Sequence, residues 1–560
     1  NLYVLIFFLL SLFTLRERLL FRPHNLSYLF FALNLYLLLT FHRGKIFLLL
    51  LNQVFWVNTH NSFILGIINT VLLYPLINPR EDKKRFFLIL LATSAGSLLS
   101  PHFFKPFIEV FNPFIGQTKN IFKVMPIHEW QPVDLNLFLS FYGVLIIFSV
   151  TVIFFTKTYK ILPFYLFYLI ISIKFVRFID YFALSSFFTA LISLENYRPI
   201  IENAKLKIFK FLIFVVILSA CIKNYFTNPL IPYGLGFADF FYPKKVVDFI
   251  KKNNIKGNIF NSYPFGGYII YNLYPDCRPI IDGRLCYPVD FIKLYADSLE
   301  DPYAFKNIIS TYKPEIFLLD YNHPNIVNFL DIMKGRYSLV YFDDNAMIFL
   351  ERSNKFDGII KAFEYKYVSP QYVMGTNTSN VKNLHFITQE ILRNLSETGS
   401  IRSSVMLGNI MYSTGKKELA KEYFLKAIKD DSPIGKSEAY NNLGILYMEE
   451  DKMDLAVKMF KKAIFYTKDF DPAYLNLAIA NKENSQYISS IYYFLRYFLV
   501  LNNRGEQINN DLMNDILQTG KLALKSLFEY FIITLALYGI IYIVFIKKTK
   551  NKVFFKLPKK

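Results

Sequence analysis

The chain has 560 residues, of which 53% are apolar and only 19% charged; Lys and Arg number 63 against 43 Asp and Glu, a net charge of +20. This composition excludes a disordered chain, a collagen-like chain and a disulfide-dense secreted domain. Its long apolar runs argue against a wholly soluble enzyme. The positive charge is not read as a nucleic-acid footprint. Seven lysines fall within Lys547–Lys560, directly behind an apolar run, where they suit a cytoplasmic anchor; no nucleic-acid partner is expected. Phe (60) and Tyr (40) are abundant and reflect AT-rich coding in part, so no single aromatic carries weight alone. Cys221, Cys277 and Cys286 are too few for a disulfide framework and fit no zinc spacing. Cys277 and Cys286 either pair or remain thiols. No metal site is expected.

The chain opens at Asn1 inside an apolar run, without Met or a signal-peptide n-region, so an upstream part is expected. Residues 1–224 hold nine candidate spans, about 1–15, 26–41, 46–57, 62–78, 86–100, 136–156, 161–176, 179–194 and 209–224. Several fall short of the roughly 20 residues a perpendicular span needs. A tenth, 526–546, has only Glu529 charged. The basic breaks Arg80–Arg85, Lys157–Lys160 and Arg198–Lys210 are cytoplasmic candidates. That orientation puts residues 101–135, the turn at Arg177–Asp180 and the whole of 225–523 outside. It also puts Arg16, Arg18 and Arg22 outside, against the positive-inside trend. Either the span count shifts by one or these arginines face something anionic.

Residues 241–352 alternate strand and helix patterns. Strands are expected at Asn258–Asn261, Pro279–Ile281, Ile316–Leu319, Ser338–Phe342 and Ala346–Leu350, and helices at Lys244–Lys252, Tyr303–Ser310 and Asn325–Met333. This is a small α/β layer domain. From 401 to 504 the sequence repeats every 34 to 36 residues. Leu407, Gly408, Ala420, Phe424 and Ala427 recur as Leu443, Gly444, Ala456, Phe460 and Ala463, and a degraded third unit keeps Leu477, Ala478 and Phe494. The pattern resembles the tetratricopeptide repeat, whose concave face binds peptides or partner proteins; a plain spacer is the equal alternative. The expected architecture is thus a polytopic membrane domain (1–224), an extracytoplasmic α/β domain (225–352), a helical linker (353–400), an α-helical repeat array (401–504), a transmembrane helix (526–546) and a basic cytoplasmic tail (547–560).

Polar residues inside an apolar region are costly and therefore candidates for function. Four sets lie on the expected outer side: Trp56–Gly66 with Asn58 and His60, Ser100–His102, His128–Pro132 with Glu129, and Arg177 with Asp180. Glu129 or Asp180 is a candidate general base; His60 or His102 suits proton shuttling or phosphate orientation. Singly, each also reads as a helix cap or interfacial anchor. The soluble domain adds Asn261–Tyr268, with Gly266-Gly267, and Arg278–Arg284. There Asp282 and Arg284 follow an apolar strand, where open α/β sheets place ligands, or else form a local turn.

Taken in order, Arg22-Pro23, WVNTHNSFILG at 56–66, LLSP at 98–101, EWQP at 129–132, Arg177 opening a span, NSYPFGGYIIYNL at 261–273 and RPIIDGR at 278–284 resemble a family of large bacterial membrane proteins. That family is similar to GT-C glycosyltransferases, which take sugars from polyprenyl-phosphate donors at the outer face of the inner membrane. The resemblance covers about residues 16–350. Asn61-Ser62 replaces the family's Gly-Gly, and Ser100-Pro101 its Asn-Pro. The family's catalytic acid lies in a first outer loop that precedes this sequence. The resemblance implies a lipid-linked sugar donor among membrane lipids, with Arg16, Arg18, Arg22, Asn58, Arg177, Asp282 and Arg284 as substrate-binding candidates. It leaves divalent-metal use open. A non-catalytic scaffold for envelope assembly, holding the repeats for a protein partner, is the main alternative. A lipid-linked polymer ligase and a transporter fit less well.

Overall fold

A computed structural model describes residues 2–15, 24–40, 44–77, 83–111, 128–133, 138, 141–195, 214–220, 222, 242–283, 287–321, 325, 329–330, 335–368, 383–430, 432–433, 435–503 and 512–528. Arg16, Arg18, Arg22, Arg284, most of the 526–546 run and the lysine tail lie outside the described residues. The chain divides into two compact units, residues 1–233 with 286–308 and residues 234–285 with 309–560.

The first unit is helical. It contains α1 (Leu2–Leu15), α2 (His24–Leu39), α3 (Lys45–Val57), α4 (Ile64–Ile77), α5 (Lys83–Leu98), α6 (Lys105–Phe111), α7 (Phe141–Thr156), α8 (Leu162–Lys174) and α9 (Ile179–Glu195). These are apolar nearly all round, as buried or lipid-facing helices are. Single 3-10 turns at Asn61–Phe63, His128–Trp130 and Val176–Phe178 precede or join them. Eight of the nine expected spans coincide with a helix to within about five residues; the ninth is described only at 214–220 and 222. Among the described residues one helix, Val176–Glu195, is long and apolar enough to cross a membrane, and the other apolar helices are shorter. Phe47, Phe87, Leu91, Ile147, Phe154, Phe155 and Ile170 are exposed, while Phe31 sits inside against the rings of Trp56, Tyr168 and Tyr181.

Buried polar side chains tie these helices together. Asn69 of α4 donates to Asn34 of α2 at 3.0 Å and accepts from Tyr168 of α8. Gln53 of α3 donates to the Phe63 carbonyl at 2.7 Å and to Ser97 of α5 at 2.9 Å. A Cβ at Gly96 would lie 2.8 Å from the Leu50 carbonyl oxygen, so α5 approaches α3 only because that side chain is absent.

The second unit opens with an α/β layer. Helix α10 (Lys244–Lys252) leads to β1 (Gly257–Asn261), α11 (Gly266–Leu273) and β2 (Cys277–Pro279). Helix α12 (Val289–Ser298) and most of α13 (Pro302–Tyr312) fall in the stretch that belongs to the first unit, and the layer resumes with β3 (Ile316–Leu319), β4 (Tyr337–Phe342), β5 (Met347–Glu351) and α14 (Asp357–Phe363). The sheet order is β2-β1-β3-β5-β4. The β2-β1-β3 part is parallel and β3-β5-β4 antiparallel. Because side chains alternate along a strand, Ile316 and Leu318 join Val246, Val247, Ile250, Ile269 and Ile360 in one core. Phe317, between them, stacks on Phe260 instead, centroids 5.1 Å apart. Four of the five expected strands are present to within a residue at either end, and the one expected at Pro279–Ile281 lies two residues earlier, at Cys277–Pro279. Helices α11 and α12 were not anticipated, and the expected helix at 325–333 falls mostly outside the described residues.

Residues 353–400, read as a linker, hold α14 and α15 (Leu384–Thr398), and both are bound to the sheet. Phe356 and Ile360 enter the sheet core. Asn394 of α15 donates to the Phe342 carbonyl at 2.8 Å. The Glu390 carboxylate accepts the N–H groups of Lys366, Tyr367 and Val368 at 2.8–3.0 Å. Three helix pairs follow: α16 (Ile401–Ser413) with α17 (Lys417–Lys429), α18 (Lys436–Glu449) with α19 (Met453–Tyr466), and α20 (Asp471–Glu483) with α21 (Tyr487–Asn503). A further helix, α22, spans 512–528. The recurring small and large residues explain the pairing. A Cβ at Gly408 would lie 2.3 Å from the Phe424 ring, and one at Gly444 2.4 Å from Phe460. The degraded third unit still forms its pair, with Leu477, Ala478 and Phe494 fully buried.

Candidate functional site

In the first unit three of the sequence motifs meet at Arg177. The break between α8 and α9 turns the chain through Val176–Phe178 and leaves Arg177 half-buried. The EWQP segment docks on this break through the backbone: the Val176 N–H donates to the Gln131 carbonyl and the Val133 N–H to the Ile173 carbonyl, both at 3.0 Å. That pairing sets Trp130 beneath the Arg177 guanidinium, 5.1 Å from ring centroid to Cζ, a cation–π distance. Arg177 Nη2 lies 3.4 Å from His60 Nε2. His60 Nδ1 accepts the Ser62 N–H at 3.2 Å, capping the turn that follows, and lies 2.9 Å from Ser62 Oγ. The Trp56 indole N–H donates to the same oxygen at 3.1 Å. Asp180 opens α9 three residues after Arg177, is buried, and accepts from the Tyr28 hydroxyl of α2.

Other candidates are placed differently. Asn58 is exposed, and its amide ties the carbonyls of Val54 and Leu99 at 2.8 and 3.0 Å, a helix-end role. His102 is exposed in a turn after α5. Glu129 is half-buried beside Trp130. Among the described residues no three His, Cys, Asp or Glu side chains gather as a metal site.

In the α/β layer the Gly-Gly motif packs the chain. A Cβ at Gly266 would lie 2.1 Å from the Ile281 carbonyl oxygen and 2.7 Å from Asp282 Cα, while Gly267 has open space. Asn261 clamps the same segment, accepting from the Ile280 N–H at 3.1 Å and donating to the Ile281 carbonyl at 2.9 Å. Asp282 is thereby buried beside the start of α11. Cys277 is a buried free thiol, and burial pushes its pKa up.

A site missed in the sequence lies on the first helices of the repeat pairs. Asn476 of α20 donates to Asn441 of α18 at 2.9 Å, and Asn441 to its neighbour Asn442 at 3.2 Å. Asn442 donates to Asn409 of α16 at 2.7 Å, and Asn409 to the Glu438 carboxylate at 3.1 Å. Every donor in this chain points toward one carboxylate. Asn409, Asn442 and Asn476 are half-buried. An amide offers two N–H donors and two lone pairs, so each retains hydrogen-bonding capacity toward a ligand. Flanking ion pairs hold adjacent repeats together: Lys417 with Glu449 and Lys421 with Glu450, both at 2.8 Å. The Lys417 contact and the Tyr412 hydroxyl hold the Glu449 carboxyl below its ordinary pKa.

Residues 401–429 and 437–465 match the tetratricopeptide repeat family, so this part of the chain is a repeat array of that kind. An uncharacterised protein of Cyanophora paradoxa, ycf37, is 34% identical over 79 residues, 14% of this chain and 42% of that protein. The chain thus spans less than half the length of this curated relative. Two crystal structures of MamA are similar at 17% identity, covering 27% of this chain and 87% and 81% of theirs, with TM-scores of 0.22 and 0.21; at that level nothing is carried over.

Proposed function

We propose that this chain is a membrane-anchored scaffold whose repeat face captures an extended segment of a partner protein. The observation that carries this reading is the asparagine chain from Asn476 to Glu438. It is a polarised, half-buried row of amides on helices of a family that binds peptides. Amides suit a peptide backbone, which offers alternating donors and acceptors. Anchorage in a bacterial inner membrane, with residues 225–523 outside and the C-terminus cytoplasmic, is part of the proposal. It is supported by the exposed apolar surfaces of the first unit and by the uncharged run at 530–546. The test is co-purification from solubilised membranes. Asn442→Ala with Asn476→Ala should lose a partner that the wild type retains, while circular dichroism stays unchanged. Equal retention would refute the proposed face.

A second reading is glycosyl transfer from a polyprenyl-phosphate sugar. It is favoured by the convergence of His60, Trp130 and Arg177, which come from three separate motifs of the GT-C-like resemblance. In that reading the pre-oriented Arg177 guanidinium pairs with the donor phosphate, and Asp180 keeps α9 in place through Tyr28. Turnover of a panel of polyprenyl-phosphate sugars by purified protein tests it. Failure across the panel leaves the scaffold reading alone.

A further inference from the structure

Helix 512–528 has three distinct sides. One faces the repeat array: Thr519 and Ala523 are buried and Asp515 pairs with Lys482 of α20. A second is apolar and bare. Met513, Leu517, Leu524, Leu527 and Phe528 are 40–69% exposed, and at about 100° per residue they share roughly 100° of arc. The third is polar, with Asn514, Gln518, Lys521 and Lys525 exposed. Lys521 lies at the border between the last two.

We infer that the apolar side of helix 512–528 lies in the headgroup region of a lipid bilayer. The inference rests on the membrane-anchor reading of the run at 530–546. Only Glu529 separates Phe528 from that seventeen-residue uncharged run. A chain entering the bilayer there holds the end of the helix at the membrane surface. Standing upright, the helix would carry Met513 about 22 Å from that surface, at 1.5 Å per residue. A stripe extending back to Met513 is accounted for when the helix lies flat. Lysines at the edge of the stripe then bury their stems and direct their charge to lipid phosphates. Such a helix would fix the repeat array on the bilayer, with the array itself covering the side that Thr519 and Ala523 occupy.

The test uses the full chain in liposomes, with Cys221 and Cys286 replaced by alanine and the buried Cys277 retained. A bimane probe is placed in turn on Leu517→Cys, Leu524→Cys, Gln518→Cys and Leu535→Cys, and quenched by lipids carrying shallow or deep nitroxides. The inference predicts shallow-nitroxide quenching at 517 and 524, well above that at 518, from side chains about 5–10 Å below the surface. The probe at 535 reports on the anchor separately, by deep-nitroxide quenching. Quenching at 535 without quenching at 517 and 524 overturns the interfacial helix and leaves the anchor standing. A bimane blue shift at 517 and 524 without lipid quenching assigns the stripe to protein and also overturns it. Quenching at 517 and 524 alone keeps the interfacial helix and removes the anchor.

Discussion

The carboxylate of Asp344, at the tip of the β4–β5 hairpin, accepts the Ser400 hydroxyl at 2.7 Å across 56 residues of sequence. The same carboxylate accepts the Ile401 and Arg402 N–H groups at 3.1 and 2.9 Å. Helix α16 is therefore capped twice at its start, by its own Ser400 toward Ser403 and by a residue of the sheet. A carboxylate at a helix N-terminus satisfies exposed donors and complements the helix dipole. Together with Asn394, which donates to the Phe342 carbonyl and accepts from Ser403, it makes the first repeat continuous with the α/β layer.

Asp344→Ala should cost about 1–2 kcal/mol, the upper range for a lost N-cap. Hydrogen exchange at residues 401 and 402 should speed up, because their donors lose a fixed acceptor. Asp344→Asn should retain part of the protection. Unchanged exchange in the alanine variant would mean that the joint does not depend on this cap.

The repeat glycines make a sharper steric prediction. Gly408→Ala and Gly444→Ala each drive a methyl into a buried phenyl ring and should cost about 1–3 kcal/mol, as overpacking does. Gly267→Ala, with open space around it, should be neutral, whereas its neighbour Gly266→Ala should destabilise the α/β layer. Thermal melts of the four variants in one detergent would check the pattern; a neutral Gly266→Ala would contradict the close approach of Ile281.

Asp343 gives a pH dependence. Burial raises its carboxyl pKa, although the Asn345 and Ala346 N–H groups oppose that by donating to it. A group with a raised folded-state pKa binds its proton more tightly in the native state, so its contribution is full below the ordinary aspartate value near 4. It is lost as pH rises through the folded value. The melting temperature of Asp343→Asn should therefore fall less than that of the wild type between pH 4 and neutrality, with both proteins followed in one buffer series. Parallel curves would contradict the raised value.

At Arg177 the stacking and the fork geometry separate arginine from lysine. Under the glycosyl-transfer reading, Arg177→Lys should weaken binding of a polyprenyl-phosphate ligand about tenfold, the equivalent of one lost charge-assisted bond, with the melt unchanged. Trp130→Ala should act in the same direction through loss of the stacking partner. Wild-type affinity in both variants would remove Arg177 from that reading.

Local patterns were legible in the sequence and long-range pairings were not. The five strands and the repeat pairs follow from periodicity, and the small-large alternation of Gly408 with Phe424 carries its own steric reason. The convergence of His60, Trp130 and Arg177 was suggested only as motifs on one expected face. Their contact needs the Val176–Gln131 backbone pairing, which side-chain identity does not encode. The asparagine chain was missed because Asn409 takes a different repeat position from Asn442 and Asn476, so no aligned column reveals it. Its signal was a recurrence of asparagine at intervals of 33 and 34 residues, close to the repeat length. Asp344 looked like an ordinary turn residue, and its partners lie 56 to 58 positions away.

The first-helix face of the repeats is proposed to hold a partner peptide. Site-specific photo-crosslinking in native membranes tests it most directly. A photoreactive residue replaces Asn409, Asn442 or Asn476 in turn, and Lys461 on a second helix as the reference. One crosslinked partner, shared by the three asparagine positions and absent from position 461, is the expected result. Crosslinks of equal strength at all four positions, or none at the asparagines, would contradict it.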